Sequence, residues 1–261
     1  MSALHYEMHG RGPDLVLLHG WSANLGVWQE LSARLARRFR VIAIDLPGHG
    51  RSDWDRRAAS PAAQAWRVHE TLAPLTARYA LLGWSLGGQF ALDLAAAMPA
   101  GIVRLVLVST TAKFAAAKGW SCGTAPGLID RLAGRLLLEP ERAVDDFLGL
   151  AVRGLAPRTA QRALSQLRAA LRQHGRPTPE ALGSGLERLR QGDLRAALPL
   201  VSVPALVVAG ELDRVIRPAA SRALAQALPQ ARFVQLRGAT HVPFLSHARQ
   251  FADFITGFLR G

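Results

Sequence analysis

Short apolar runs alternating with helically patterned segments limit most strongly what this chain can fold into. The runs at 15–18, 41–44, 80–82 and 103–108 are too short for helices, and most lack the two-residue alternation of a half-exposed strand. Strands covered on both faces look like this, because every side chain must be apolar when both sides are packed. Segments at about 24–37, 61–76 and 86–98 carry helical spacing between them. The resulting β-α-β-α order predicts an α/β architecture with a mostly parallel, doubly wound sheet.

The alternation stops near Thr111. Up to about Leu198 only helical patterns recur, at 126–138, 140–153, 157–173 and 179–190. Strand patterns then resume at 205–209 and 233–236, with helices expected at 218–227 and 246–259. The expectation is one sheet-based core, residues 1–111 and 199–261, carrying a helical cap at 112–198. A separate helical domain is the competing arrangement, disfavoured because the strand pattern resumes afterwards. A length of 261 residues suits one large domain or a domain with an insertion.

The strongest chemical signal is Gly83-Trp84-Ser85-Leu86-Gly87, directly after one strand pattern and directly before a helical one. Gly-x-Ser-x-Gly in that context is a nucleophile elbow: serine takes a strained backbone conformation, and the flanking glycines avoid clashes. The helix beyond it points free N–H groups and a positive dipole end at developing negative charge. A serine hydroxyl is a poor nucleophile near neutrality and requires a base, which an acid must orient. In chain order the acid comes next. Glu211 and Asp213 both lie in the loop after the 205–209 strand, and the two residues between Gly210 and Asp213 favour Asp213. His241 follows the last strand and precedes the last helix, which brings it to the same sheet edge as Ser85. His247 reads as the start of the terminal helix, and His19 as a brace of its own turn.

Acyl transfer also needs donors for the oxyanion. The N–H of Leu86 is one. The N–H of Trp21, in the His19-Gly20-Trp21 loop after an early strand, is the other candidate. The glycine-rich stretch from Asp45 to Asp53 lacks the Walker spacing and its Lys-Ser/Thr ending, so it reads as a structural turn. No His/Cys/Asp/Glu group has metal-ligand spacing, and neither a metal nor a cofactor is expected.

The formal charge is +13, and only Lys113 and Lys118 are lysines, leaving 30 of the 32 cations as arginine. With no run of five arginines and no nucleic-acid motif, this skew reads as compositional bias rather than a nucleic-acid surface. The lone Cys122 excludes an intrachain disulfide and fits a reducing compartment. The N-terminus lacks a basic segment followed by an apolar one, and no apolar run reaches the ~18 residues that span a bilayer. A cytoplasmic, monomeric enzyme without membrane attachment is expected.

With these residues in place, the sequence resembles the α/β-hydrolase superfamily over its whole length. The resemblance rests on His19-Gly20-Trp21, Asp45 to Asp53, Gly83 to Gly88, Asp213 and His241. Within the superfamily it is similar to the pimeloyl-acyl-carrier-protein methyl ester esterases of biotin synthesis. Tryptophan before the serine, Asp146-Phe147-Leu148-Gly149-Leu150, Gly185-Leu186-Glu187, Asp193-Leu194-Arg195 and His241 to His247 carry that similarity. It implies a carboxylesterase that frees the pimeloyl carboxylate and releases methanol. It further implies substrate contacts from Trp21, Ser85, Leu86, Phe147, Leu148, Gly149, Leu150, Ala151 and His241. Cap arginines would hold the acidic carrier protein, with Arg142, Arg158 and Arg162 near the family's positions. Between Lys113 and Arg190 there are 13 Lys/Arg and 7 Asp/Glu, a net +6, so a solvated helix face remains an equal reading. Other readings stay open on the same triad: a broad carboxylesterase, a lipase-like enzyme or a carbon–carbon bond hydrolase. A non-catalytic binding protein is disfavoured, since all three triad residues are present.

Overall fold

The computed structural model describes residues 3–97 and 100–261. Its strands are β1 (Tyr6–His9), β2 (Asp14–Leu18), β3 (Arg40–Ile44), β4 (Tyr79–Trp84), β5 (Ile102–Val108), β6 (Ala205–Gly210) and β7 (Ala231–Leu236). They form one sheet in the order β1-β3-β2-β4-β5-β6-β7, in which only β1 is antiparallel to its neighbour. β4 and β6 are buried at every residue, which is why their sequences are unbroken apolar runs.

The helices are α1 (Gln29–Leu35), α2 (Pro61–Leu72), α3 (Leu86–Ala97), α4 (Pro126–Leu138), α5 (Pro140–Ala151), α6 (Pro157–His174), α7 (Pro179–Gln191), α8 (Pro218–Ala227), α9 (Pro243–Ser246) and α10 (Ala248–Arg260). Pro61, Pro126, Pro140, Pro157, Pro179, Pro218 and Pro243 each open a helix, where the missing N–H costs nothing. Ser60 and Thr178 cap α2 and α7 by accepting from Ala63 N and Ala181 N, both at 3.2 Å. α1 packs on α10, and α2 on α3. Between β5 and β6 the chain makes α4 to α7, with no long strand among them.

Sequence and structure differ at identifiable places. β1 was not expected; it is a four-residue, half-exposed edge strand, Tyr-Glu-Met-His, without an apolar run. The helix expected at 24–37 is a 3₁₀ turn at Leu25–Trp28 followed by α1, because the Asn24 side chain accepts from Gly26 N and starts the tighter turn. The helix expected to reach 76 ends at Leu72, since Pro74 supplies no N–H and cannot continue it. His247 caps the terminal helix as expected, but a short helix, α9, precedes it, and the His247 backbone at φ −129° and ψ 39° separates the two. Residue 98, the expected end of the third helix, lies outside the described residues.

Candidate active site

Ser85 sits between β4 and α3 with φ +54°, the left-handed region that L-residues avoid. The glycines on either side make this turn possible. A Cβ at Gly83 would collide with the Gly87 carbonyl, and one at Gly87 would collide with the carbonyls of Leu18 and His19. The strained turn is then tied down: Ser85 N donates to Val108 O at 2.9 Å, and Thr110 Oγ1 donates to Ser85 O at 2.7 Å. Among the described residues two other non-glycine residues have positive φ, Ser22 in the loop after β2 and Ser109 just after β5. All three follow strands of the parallel sheet, so the strain concentrates along its carboxyl edge.

His241 and Asp213 are delivered to that edge by the loops after β7 and β6. His241 Nδ1 lies 2.9 Å from Asp213 Oδ2, and both side chains are fully buried. An ionised carboxylate only accepts, so the Nδ1 proton faces it and Nε2 is left as the acceptor nitrogen. Asp213 is itself fixed, because its Oδ1 accepts from Val215 N at 2.8 Å and Ile216 N at 2.9 Å. His241 Nε2 is buried without a hydrogen-bond partner among the described residues. Glu211, the competing carboxylate, is turned elsewhere and accepts from Gly238 N at 2.8 Å.

The loop after β2 abuts Ser85: a Cβ at Gly20 would lie 3.2 Å from Ser85 Cβ. Trp21 follows Gly20 in this loop, and Leu86 opens α3, so its N–H has no intrahelical acceptor. Trp21 is fully buried. Its Nε1 donates to Leu182 O of α7 at 3.0 Å, and its ring meets Phe147 of α5 edge-on at 4.9 Å. Phe147 stands 6.3 Å from the His241 ring. Of the other expected contacts on α5, Leu148 and Ala151 are buried, while Gly149 and Leu150 are half-buried. Ala151 O accepts from His241 N at 3.2 Å, a direct link from α5 to the backbone of His241.

His19 does not face the triad as a base. Leu46 N donates to its Nε2 at 3.0 Å, and its Nδ1 lies 2.9 Å from Gly20 O, which fixes a neutral tautomer bridging two loops. Burial holds its pKa well below the usual histidine value. The neighbouring His49 is likewise pushed down to about 4 by burial. Between them the Asp45–Asp53 stretch is a turn organised by Asp45, which accepts from Leu25 N at 2.7 Å and Arg51 N at 2.9 Å. No group of three or more potential metal ligands occurs among the described residues.

A cavity of about 650 Å³ adjoins this site, between α4, α5 and α7. Phe114, Leu128, Ile129, Leu132, Leu150, Leu186, Leu189 and Val215 make it apolar, and Arg131, Arg135, Arg142, Glu139 and Asp146 add charge. Phe147 belongs to its lining and to the packing around Trp21 and His241, so it separates the cavity from the triad. Arg142 is thus at the cavity, paired at 3.3 Å with Glu139. Arg158 and Arg162 are exposed on α6 and do not line it; Arg162 donates to Leu245 O at 3.3 Å. Sequence reasoning passed over the α4 and α7 residues, although Leu128, Ile129 and Leu132 keep one helical face, as do Leu182, Leu186 and Leu189.

Relatives and structural neighbours agree in kind. The model of the alpha/beta hydrolase family matches residues 15–254. The chain is 37% identical over 256 residues to the pimeloyl-(acyl-carrier protein) methyl ester esterase of Stenotrophomonas maltophilia (strain K279a), covering 98% of this chain and 96% of that one. It is 38% identical over 254 residues to the protein of the same name from Nitrosomonas europaea, covering 97% and 98%. The enol-lactonase from Burkholderia xenovorans LB400 superposes with a TM-score of 0.82 at 28% identity, over 99% of this chain and 96% of that one. An esterase from Exiguobacterium antarcticum superposes with a TM-score of 0.87 at 22% identity, over 99% and 96%, and shares the fold.

Proposed function

The chain belongs to the alpha/beta hydrolase family, and from that membership we propose that it is a serine carboxylesterase whose substrate is the methyl ester of a pimeloyl group on acyl-carrier protein. The observation that carries the chemistry is the His241–Asp213 hydrogen bond, which leaves Nε2 as an acceptor on the sheet edge where Ser85 is held in its strained turn. Ser85 Oγ gives its proton to His241 Nε2 and attacks the ester carbonyl. The tetrahedral oxyanion is held by the N–H groups of Trp21 and Leu86. His241 returns the proton to the departing methoxide, and methanol leaves. Water, deprotonated by the same nitrogen, then attacks the acyl-enzyme and releases the free carboxylate and Ser85.

The substrate is supported by full-length similarity to esterases of that name and by the cavity beyond Phe147. Its apolar walls suit a methylene chain. Residues 112–198 act as a cap over the core of residues 1–111 and 199–261. Leu148, Gly149, Leu150 and Ala151 form the substrate-facing stretch after Phe147. Arg142, Arg158 and Arg162 dock the acidic carrier. No helix among the described residues is long and apolar enough to cross a membrane. The enzyme works as a monomer in the cytoplasm, within biotin synthesis, and needs no cofactor.

The deciding experiment is complementation of a biotin auxotroph that lacks its pimeloyl methyl esterase. The gene restores growth and Ser85→Ala does not. Hydrolysis of short p-nitrophenyl esters without complementation would instead assign a broad carboxylesterase.

A further inference from the structure

α7 lies directly on both loops that supply the oxyanion donors. A Cβ at Gly185 would sit 2.6 Å from Trp21 Cδ1 and 3.2 Å from Leu86 Cδ2, and Leu182 O holds the Trp21 indole at 3.0 Å. One turn beyond Gly185, Arg188 reaches down onto α3, the helix that Leu86 opens. Its side chain is only 5% exposed, although arginine is almost never buried unless paired. Nη2 donates to Asp93 Oδ2, Nε donates to Gln89 Oε1 at 3.4 Å, and the guanidinium lies 4.6 Å over the Phe90 ring. About one turn of α3, from Gln89 to Asp93, thus grips a single side chain of α7. Such a planar, multidentate and stacked arrangement is particular to arginine.

We propose that Arg188 is a positioning residue for ester hydrolysis: its clamp on Asp93 and Gln89 locks α7 to α3 and so holds Trp21 and Leu86 at the spacing an oxyanion requires. This rests on the acyl-transfer reading above. The physical reason is economy of degrees of freedom. The Trp21 N–H comes from the loop after β2 and the Leu86 N–H from the start of α3, and α7 is packed on both. Donors act fully only when they stand at about 2.7–3.1 Å from where the oxyanion forms, so a small drift of α7 matters in the transition state more than in the ground state.

The test combines Arg188→Met, Asp93→Asn and Arg188→Lys, each checked for a native circular dichroism spectrum, with steady-state kinetics on p-nitrophenyl acetate. A trifluoromethyl ketone inhibitor, whose adduct places an oxyanion in the hole, gives the second readout. Arg188→Met and Asp93→Asn are expected to lower kcat about tenfold while KM stays within about twofold, and to weaken the inhibitor by a similar factor. Arg188→Lys, which keeps the charge but not the fork, falls between them and the wild type. Asp93→Asn and Arg188→Lys carry the test if the methionine variant does not fold. Folded variants whose kcat and inhibitor affinity stay within twofold of wild type overturn the proposal, as does a change confined to KM. Those outcomes leave the acyl-transfer reading intact so long as Ser85→Ala is inactive; an active Ser85→Ala overturns that reading instead.

Discussion

The indole of Trp84 donates from Nε1 to the backbone carbonyl of His241 at 2.8 Å, so the residue before Ser85 holds the loop that carries His241. The bond is buried and spans strand β4 and the loop after β7, elements 157 residues apart in sequence. Trp84 also packs edge-on against Phe244 at 5.0 Å, which steadies the chain just beyond His241. Trp84→Phe keeps most of the ring and removes the donor, leaving a buried carbonyl unpaired. The expected cost is about 1–3 kcal/mol of stability, with a fall in kcat of about tenfold as His241 loses its tether. Denaturant unfolding together with ester kinetics measures both; a variant that loses stability but keeps kcat would restrict Trp84 to packing.

Asp213→Asn is expected to lower kcat by about 10³–10⁴-fold, since an amide can donate to His241 and favour the wrong tautomer. Ser85→Ala removes acyl-enzyme formation and abolishes turnover above background. Glu211→Gln, by contrast, alters only the bond to Gly238 N and leaves kcat within about twofold. Turnover of a p-nitrophenyl ester by the three variants distinguishes the acid, and a severe loss in Glu211→Gln would reverse the assignment.

Charge reversal at the insertion tests carrier docking. Arg142→Glu, Arg158→Glu and Arg162→Glu combined should raise KM for the carrier-linked methyl ester at least tenfold and leave a small free ester unaffected. The effect on the carrier-linked substrate should shrink as salt rises, because exposed charges are screened beyond about 10 Å at 0.1 M. Equal losses on both substrates would point to damage of the cavity wall near Arg142 rather than to docking.

Acid stability follows from His49. Its folded pKa is depressed to about 4 by burial, so it is neutral in the native protein while the unfolded chain titrates near 6.5. The native state is therefore favoured fully above pH 6.5 and loses that advantage as pH falls towards 4, by about 3 kcal/mol for this group. His19 acts in the same direction. Urea unfolding at pH 7 and pH 4.5 should show a smaller drop for His49→Gln than for wild type; identical drops would remove His49 from the account.

Much of this protein was legible before any coordinates. Apolar runs within β2 to β6 announced a sheet covered on both faces, and helical spacing placed the starts of α4 to α8 where the structure has them. The elbow around Ser85 was legible because its glycines answer a local backbone demand. β1 escaped notice because an edge strand with one wet face needs no apolar run, and α9 because four residues are too few to show a helical period.

What the sequence determined by itself was the order of elements and the elbow around Ser85, since strand burial and the elbow are written in residues near one another. Spacing after Gly210 favoured Asp213 over Glu211, but only the tertiary structure set it against His241, seated Gly185 against Trp21 and Leu86, and buried Arg188 between α7 and α3. Those relationships join residues from 28 apart in sequence, for His241 and Asp213, to 95 apart for Arg188 and Asp93 and further still for Gly185 and Trp21. No local pattern encodes such pairs, because each residue's partner is set by how the sheet and the inserted helices pack.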